Sequence, residues 1–366
     1  MSPQRLPPLP FGHQDRALSQ ALRQASQDWL VEHQEHRFAD LGMLAKLCLL
    51  CVVCGLCYLG VLGATSASGF FAVYLGFITS GMLLTVNVVH DASHSAFFRR
   101  PRANLWLNRL VTLPLGLDPE CWRVRHVQLH HAHVNIEDYD PDIDANGVLR
   151  QAPWHRWKPF MRYQPLYWPL VAALTFPWYI WLMDWLDRAG QTKVSARLPA
   201  GWRGWGFFLL GKSGHFLLAL WLPWQLGLGQ FSWSYILLCY LLSQMLSSLF
   251  FVMLLVGTHW ATARFFERPA SGGMAHGRCT HILLTTLDWN TRPRWLGYWL
   301  GGGNLHLTHH LFPHWSHRHY PALSHIIART APQHGLPYQA LSLSEVLQLQ
   351  QRFLRAMGTA PSQPKN

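Results

Sequence analysis

The sequence predicts an all-α integral membrane protein, with four transmembrane helices in two hairpins, interfacial helices and a cytoplasmic cap. Three observations carry that prediction. Charged residues make up 13% of the 366 positions, about half of the roughly 25% usual in a soluble globular chain. The shortage is concentrated: no Lys, Arg, Asp or Glu occurs over the 44 residues from Leu47 to His90 or the 51 from Ser213 to Ala263. A spanning helix needs about 20 predominantly apolar residues, so each stretch holds two helices and a turn. The basic residues are also lopsided. The turns expected between paired spans, Gly63 to Gly69 and Leu226 to Ser232, carry no Lys or Arg, whereas Asp91 to Lys212 carries 15 and the chain from Arg264 onward carries 10. The positive-inside rule then sets both termini and the polar segments in the cytoplasm.

Residues 1–42 read as a cytoplasmic lead-in, with Pro3, Pro7, Pro8 and Pro10 near its start and an amphipathic helix from Leu18 to Leu30. The first hairpin pairs a span from Gly42 to Gly63 with one from Phe70 to His90. Leu105 to Leu117, apolar apart from Arg109, is too short to cross and is expected at the interface. Tyr163 to Met183 is uncharged and long enough to span. It contains Pro165, Pro169 and Pro177, however, and is crowded with Tyr163, Tyr167, Trp168, Trp178, Tyr179 and Trp181. The expectation is a proline-broken segment in the headgroup belt. The second hairpin runs from Ser213 to Leu228 and from Trp233 to Gly257. No internal repeat and no cleavable signal peptide are visible.

This composition excludes a disordered chain, a disulfide scaffold and an ordinary soluble nucleic-acid binder. The surplus charge of +12 suits anionic headgroups or an acidic redox partner. Cys48, Cys51, Cys54 and Cys57 recur every three residues inside the first span, which fits small-residue helix packing. A redox or metal site would need a polar, accessible setting.

Histidine is the informative residue, with 22 copies. Three groups stand out: His90 and His94, an H-x-x-x-H; His126, His130 and His131, an H-x-x-x-H-H; and His306, His309 and His310, an H-x-x-H-H. Residues three or four apart share a helix face, so each group can aim two imidazoles at one point. Adjacent histidines cannot share that point, but they can serve two neighbouring metals. Eight imidazoles at these spacings predict two metal ions. One such pair alone reads more readily as a cap, a hydrogen-bonded core pair or a proton relay than as a metal site. A set rich in histidine and free of thiolates favours iron over structural zinc.

At these motifs the chain resembles the membrane-bound fatty acid desaturases of the acyl-lipid and linoleoyl type. His90-Asp91-Ala-Ser-His94 resembles the first box of that family and His126 to His131 the second. Asn135 with Asp140-Pro141-Asp142 resembles the N-x-x-x-x-D-x-D that often trails it. The run Gly301-Gly-Gly-Asn304-Leu-His306-Leu-Thr-His309-His310-Leu-Phe-Pro313, with His319-Tyr320-Pro321 after it, resembles the third box. The resemblance covers roughly residues 45–330. It implies a lead-in over 1–42, a desaturase membrane domain over 43–330 and a cytoplasmic tail over 331–366. It also implies two iron ions and dioxygen as co-substrate, with the eight box histidines as catalytic ligands. His259 would be a ninth ligand; by chemistry alone a histidine at a helix end is more often a cap. The acyl substrate would be carried on a phospholipid, CoA or carrier protein, and the active site would face the cytoplasm, in a bacterial cytoplasmic membrane. No His-Pro-Gly-Gly motif occurs, so electrons are expected from a separate ferredoxin, or from cytochrome b5 with its reductase.

Departures are visible too. His306 stands where acyl-lipid and front-end branches often have Gln, His133 where an aromatic is frequent, and Leu255 where some relatives place a water-bridging Asn. A hydroxylase or ketolase on the same scaffold is the nearest alternative. A metal transporter would hold its ligands at the bilayer midplane, whereas these boxes lie at helix ends. With all boxes on one face, an even number of crossings must separate His131 from His306, which leaves Tyr163–Met183 as the segment that does not cross. Asp91, Asp138, Asp140 and Asp142 are candidates to orient imidazoles, while His276, His281, His314, His317 and His325 are expected to be solvated or hydrogen-bonded non-ligands. Lys212 is expected to snorkel to the interface, and Trp122, Trp289 and Trp295 to line an acyl channel. The terminal Pro364-Lys365-Asn366 is no retention signal.

Overall fold

The computed structural model describes residues 6–227, 231–270 and 272–360. Pro3, the centre of the Leu226–Ser232 turn and the Pro364–Asn366 terminus lie outside them. The described chain is predominantly helical. Five of its helices are long and apolar enough to cross a membrane, one more than expected.

The amphipathic lead-in helix α1 (Arg16–Glu32) buries Leu18 and Leu22 in one cluster with Leu323, Ile326 and Ile327. The first hairpin is α2 (Leu41–Gly63) and α3 (Ala67–Ser93). Each starts at a capped residue: Asp40 accepts from the Met43 N–H at 2.9 Å and Ser66 from the Gly69 N–H at 3.2 Å, which satisfies donors that a helix start leaves open. Helix α3 widens into a π turn over Thr85–Val89, one residue before His90. Then come α4 (Pro101–Val111) and α5 (residues 119–130), whose second half, Val124–His130, is also π-wound.

The segment expected to be proline-broken is instead one continuous helix, α6 (Pro159–Arg188). It packs antiparallel on α8 (Trp233–His259), with Trp168 beside Trp260 and the Trp181 indole N–H donating to the Tyr240 hydroxyl at 2.7 Å. A neighbour repairs its backbone. The Ser248 hydroxyl donates to the Ala172 carbonyl at 2.6 Å and accepts from the Phe176 N–H at 3.1 Å, standing between groups that would otherwise bond each other just before Pro177. Packed partners satisfy proline-freed backbone in membrane helices in this way. Asp184 meets Lys212, midway along α7 (Gly201–Leu226), and Asp187 meets Arg125, next to His126, at 2.7 and 2.6 Å.

Lys212 therefore does not snorkel. Its ammonium is buried, donating to Asp184 and to the carbonyls of Gly116 and Ile180. With that charge neutralised inside the protein, α7 begins at Gly201, twelve residues before the expected Ser213.

The remaining elements are short: α9 (Arg278–Thr285), α10 (Leu296–Trp299), α11 (His306–Leu311), α12 (Tyr320–Thr330) and α13 (Leu343–Gly358), with β1 (Trp289–Asn290) pairing in parallel with β2 (Leu341–Ser342). Helix α13 carries a capping box at Ser342 and Glu345, and Gln164 donates to its Leu354 carbonyl at 2.9 Å. The glycines of the third box have a direct use. Gly301 and Gly302 sit at φ +67° and +69°, and a Cβ on Gly301 would lie 2.3 Å from the Val86 carbonyl oxygen. Only glycine lets this loop close against the π turn that precedes His90.

Candidate metal centre

All nine candidate histidines converge. His90 comes from α3 and His94 from just beyond it, His126 and His130 from α5 with His131 following, His259 from the end of α8, and His306, His309 and His310 from α11. They form two sets of four: His90, His94, His126 and His309 in one, His130, His259, His306 and His310 in the other. Within each set, one nitrogen per residue lies within 4.8 Å of the others. His131 belongs to neither set and touches both, its Nε2 2.9 Å from His309 Nε2 and its ring stacked 4.0 Å from that of His310.

The adjacent pair His309 and His310 divides between the two sets, as adjacency requires. The second box departs from its expected geometry. On an α-helix His126 and His130 would aim at one point. The π turn instead bonds the His131 N–H to the His126 carbonyl at 2.9 Å. This wider turn leaves the His126 and His130 rings parallel and 5.8 Å apart, each in a different set. Such π turns are frequent at functional sites.

The orienting groups explain the motif that trails the second box. Asp140 accepts from the backbone N–H groups of Asn135 and Asp142 at 2.8 and 2.9 Å, and its carboxylate meets His130 Nδ1 at 3.0 Å. Asn135, at φ +54°, donates to the carbonyls of His259 and Arg264 at 3.2 Å each, so it ties this loop to the end of α8. Asp142 lies 3.4 Å from His130. Asp138 orients no imidazole; it is half-exposed beside Arg268. His259 Nδ1 faces the Thr285 carbonyl at 3.2 Å and His309 Nδ1 the Tyr320 hydroxyl at 2.7 Å. Asp91 meets His317 at 3.0 Å and His90 Nδ1 only at 3.7 Å.

Electrostatics follow burial. Desolvation, reinforced by neighbouring imidazoles, holds His94, His126, His131, His306, His309 and His310 well below the usual imidazole range. They are neutral, the form that binds metals. For His130 burial acts the same way, but Asp140 and Asp142 overcome it and push the group up to about 9.

Sequence reasoning missed several groups: Tyr320 as a partner of His309, the Thr285 carbonyl, and Asp288. The buried Asp288 accepts from the Thr308 N–H at 3.1 Å and from the Tyr338 hydroxyl at 2.8 Å, which anchors α11. Tyr320 stood in the quoted motif and could have been noticed; Asp288 had no local signal. Among expected bystanders, His276 and His281 pair at 2.9 Å, His314 faces the His94 carbonyl, and His325 is exposed. Trp122 stacks on His126 at 4.7 Å, Trp289 is buried, and Trp295 is exposed at the surface.

Donor chemistry fits a pair of metal ions. Both nitrogens of His94, His126 Nε2, His131 Nδ1 and His310 Nδ1 are buried without a hydrogen-bond partner among the described residues. Ligands about 2.1 Å from one metal at 90–109° are about 3.0–3.4 Å apart. Here His259 Nε2 and His306 Nε2 lie 2.8 Å apart, and His306 Nε2 and His310 Nε2 3.3 Å.

A sequence model of the fatty acid desaturases matches residues 64–342. The chain belongs to the fatty acid desaturase family. The desaturase is 28% identical over 284 residues to the sn-1 linoleoyl-lipid 6-desaturase of Synechocystis sp., covering 75% of this chain and 76% of that one. It is 28% identical over 280 residues to the acyl-lipid (8-3)-desaturase of Physcomitrium patens, covering 74% of this chain but only 56% of the relative. A second sn-1 linoleoyl-lipid 6-desaturase, from Arthrospira platensis, is 24% identical, with 73% and 71% covered. The chain is thus an oxidoreductase, a fatty acid desaturase of the membrane.

Proposed function

We propose that this desaturase introduces a cis double bond into an acyl chain esterified to a membrane lipid, at a centre of two irons. The observation that carries the reading is the pair of histidine sets, in each of which one nitrogen per residue lies within 4.8 Å of the others. His90, His94, His126 and His309 would hold one iron and His130, His259, His306 and His310 the other, with His131 between them. Bound iron would supply the reduction of dioxygen and the oxidising power for C–H cleavage. The overall balance is R–CH2–CH2–R′ + O2 + 2 e− + 2 H+ → R–CH=CH–R′ + 2 H2O. Asp140, Thr285 and Tyr320 hold their imidazoles in register, so little reorganisation is needed when metal binds. Seven of the nine histidines are buried, which keeps water from the reacting carbons. The named substrates of the relatives support an acyl lipid over CoA or carrier-protein esters.

The electrons come from a separate ferredoxin- or cytochrome-like donor that docks on a basic cytoplasmic face; Arg99, Arg100, Arg102, Arg156 and Lys158 are exposed there. Four helices cross and α6 does not. Its C-terminal end stops beside Lys212 and Arg125, and an even number of crossings between His131 and His306 agrees with the convergence of all three boxes. The membrane is a bacterial cytoplasmic membrane, with the centre and both termini on the cytoplasmic side.

The deciding experiment is expression in a host with a simple lipid profile, double-bond localisation by mass spectrometry and iron analysis of the purified protein. A new double bond with close to two irons per chain is expected; zinc in an active preparation would overturn the metal assignment. Tags near Ala145 and Gly190 should report the same side, and opposite readings would show that α6 crosses.

A further inference from the structure

One charged side chain lies inside a membrane helix far from any box. Lys46, on α2, is 3% exposed. Its ammonium donates to the Tyr298 carbonyl, sits 3.7 Å from the centroid of the Tyr298 ring and meets His317 Nε2 at 2.9 Å. On its other side, His317 Nδ1 meets Asp91 Oδ2 at 3.0 Å, and the same oxygen accepts the His317 backbone N–H at 3.1 Å. The second oxygen, Asp91 Oδ1, is 3.7 Å from His90 Nδ1, and neither atom has another partner among the described residues.

With Lys46 as an ammonium, the direction of these bonds follows from one end. An ammonium has only donors, so His317 Nε2 must accept from Lys46. A neutral imidazole that accepts at Nε2 carries its proton at Nδ1, so His317 donates to Asp91. Asp91 Oδ2 thus accepts both the backbone N–H and the Nδ1–H of His317. The open Oδ1 would be completed by an N–H, which favours the His90 tautomer protonated at Nδ1 with its Nε2 lone pair free. A closure of about 0.7 Å would bring Asp91 and His90 into ordinary hydrogen-bond range. We infer that Lys46, acting through His317 and Asp91, fixes which nitrogen of His90 faces the metal centre, and is a positioning residue supplied by the first membrane helix. This rests on the two-iron reading above. It gives the buried Lys46 a use, and it gives His90 what Asp140 gives His130 directly.

The test uses the detergent-solubilised full chain, with ferrous iron as the probe against a competing chelator and Mössbauer spectra of 57Fe-loaded protein. Lys46→Met and His317→Leu should each weaken one of the two irons about 10- to 100-fold, the range typical of losing an orienting partner, and alter one quadrupole doublet. Lys46→Arg keeps a donor. His317→Gln keeps an acceptor and a donor in the same order, because a carboxamide has both. Both should hold iron within a few-fold of wild type. Should Lys46→Met fail to fold, the His317→Gln and His317→Leu pair still decides. Equal iron loss in conservative and disruptive variants would overturn the relay, as would wild-type affinity with unchanged spectra in Lys46→Met and His317→Leu. A wild-type protein that binds no iron would instead overturn the metal reading beneath it.

Discussion

Two buried polar regions lie within a few residues of each other and are built on opposite rules. Around the end of α6, Asp118, Glu120, Asp184 and Asp187 face Arg109, Arg125, Arg188 and Lys212, and every charge has an opposite charge within 3.6 Å. One residue beyond Arg125 begins the histidine cluster, where five ring nitrogens, apart from His90 Nδ1 beside Asp91, lack a partner among the described residues. An unsatisfied buried polar group costs about 1–3 kcal/mol. In the first region every ion is paired and only Arg109 Nε and Arg188 Nε are left over among the described residues; the second gathers its unpartnered nitrogens around one centre, where something other than protein can complete them. The ion network holds the scaffold, and the histidines hold the ligand.

The largest effect that can break this comparison is loss of a single imidazole. His94→Leu and His310→Leu should each remove new unsaturation below detection while the protein stays in the membrane. In metal-free protein the same substitutions should leave the unfolding temperature unchanged or raised, since each deletes an orphaned polar group. A metal-free His94→Leu protein that melts well below metal-free wild type would mean that these nitrogens serve the fold.

The ion network should behave in reverse. Lys212→Met strands the Asp184 carboxylate in the interior and should cost about 3–5 kcal/mol, whereas Lys212→Met with Asp184→Leu should recover much of that loss. Iron per folded chain should stay at the wild-type value in both. Chemical denaturation with parallel iron analysis checks this; a fall in iron without a fall in stability would erase the distinction.

How far the sequence announces each region follows from the range of its interactions. The boxes are legible because their spacing places imidazoles on one helix face within four residues. The split of His126 from His130 is not, because a π turn leaves no mark in the residue pattern. Lys212 reads as interfacial because its partner Asp184 lies 28 residues away, and Lys46 carries no signal at all because its partner His317 lies 271 residues away. Pro177 reads as a break because the Ser248 hydroxyl that bonds the backbone just before it belongs to another helix. The first hairpin and α8, whose signal is uninterrupted apolar length, fall within a few residues of expectation.

A smaller effect is acid sensitivity of the metal-free protein. Burial holds His281 at about 4, and burial with nearby arginines does the same for His133 and His319. Their folded values lie below the unfolded value of about 6.5, so the unfolded chain binds more protons between about 4 and 6.5 and stability falls as pH falls through that window. Each group contributes about a tenfold change in the folding equilibrium per pH unit inside it. His130, held at about 9, has the opposite sign: its contribution is complete below about 6.5 and is lost as pH rises to about 9. Unfolding midpoints of the metal-free protein should drop steeply from pH 6.5 to 4.5, where several rings act together, and less from 6.5 to 9, where His130 acts with the opposite sign. A flat profile on the acid side would contradict the neutral, buried state assigned to these rings.

The smallest effect separates the helix scaffold from both polar regions. Ser248 bonds two backbone groups of α6 and touches neither the ion network nor the histidines. Ser248→Ala removes a hydroxyl that satisfies the Ala172 carbonyl and the Phe176 N–H, which without it can re-form part of their own ladder bond. The cost should be about 1–2 kcal/mol, between one lost hydrogen bond and one fully unsatisfied buried group. Iron content, double-bond position and the pH profile should all match wild type. A shifted double bond would mean that α6, held in place by this one hydroxyl, also sets how deep the acyl chain enters, and would move that helix from the scaffold to the site.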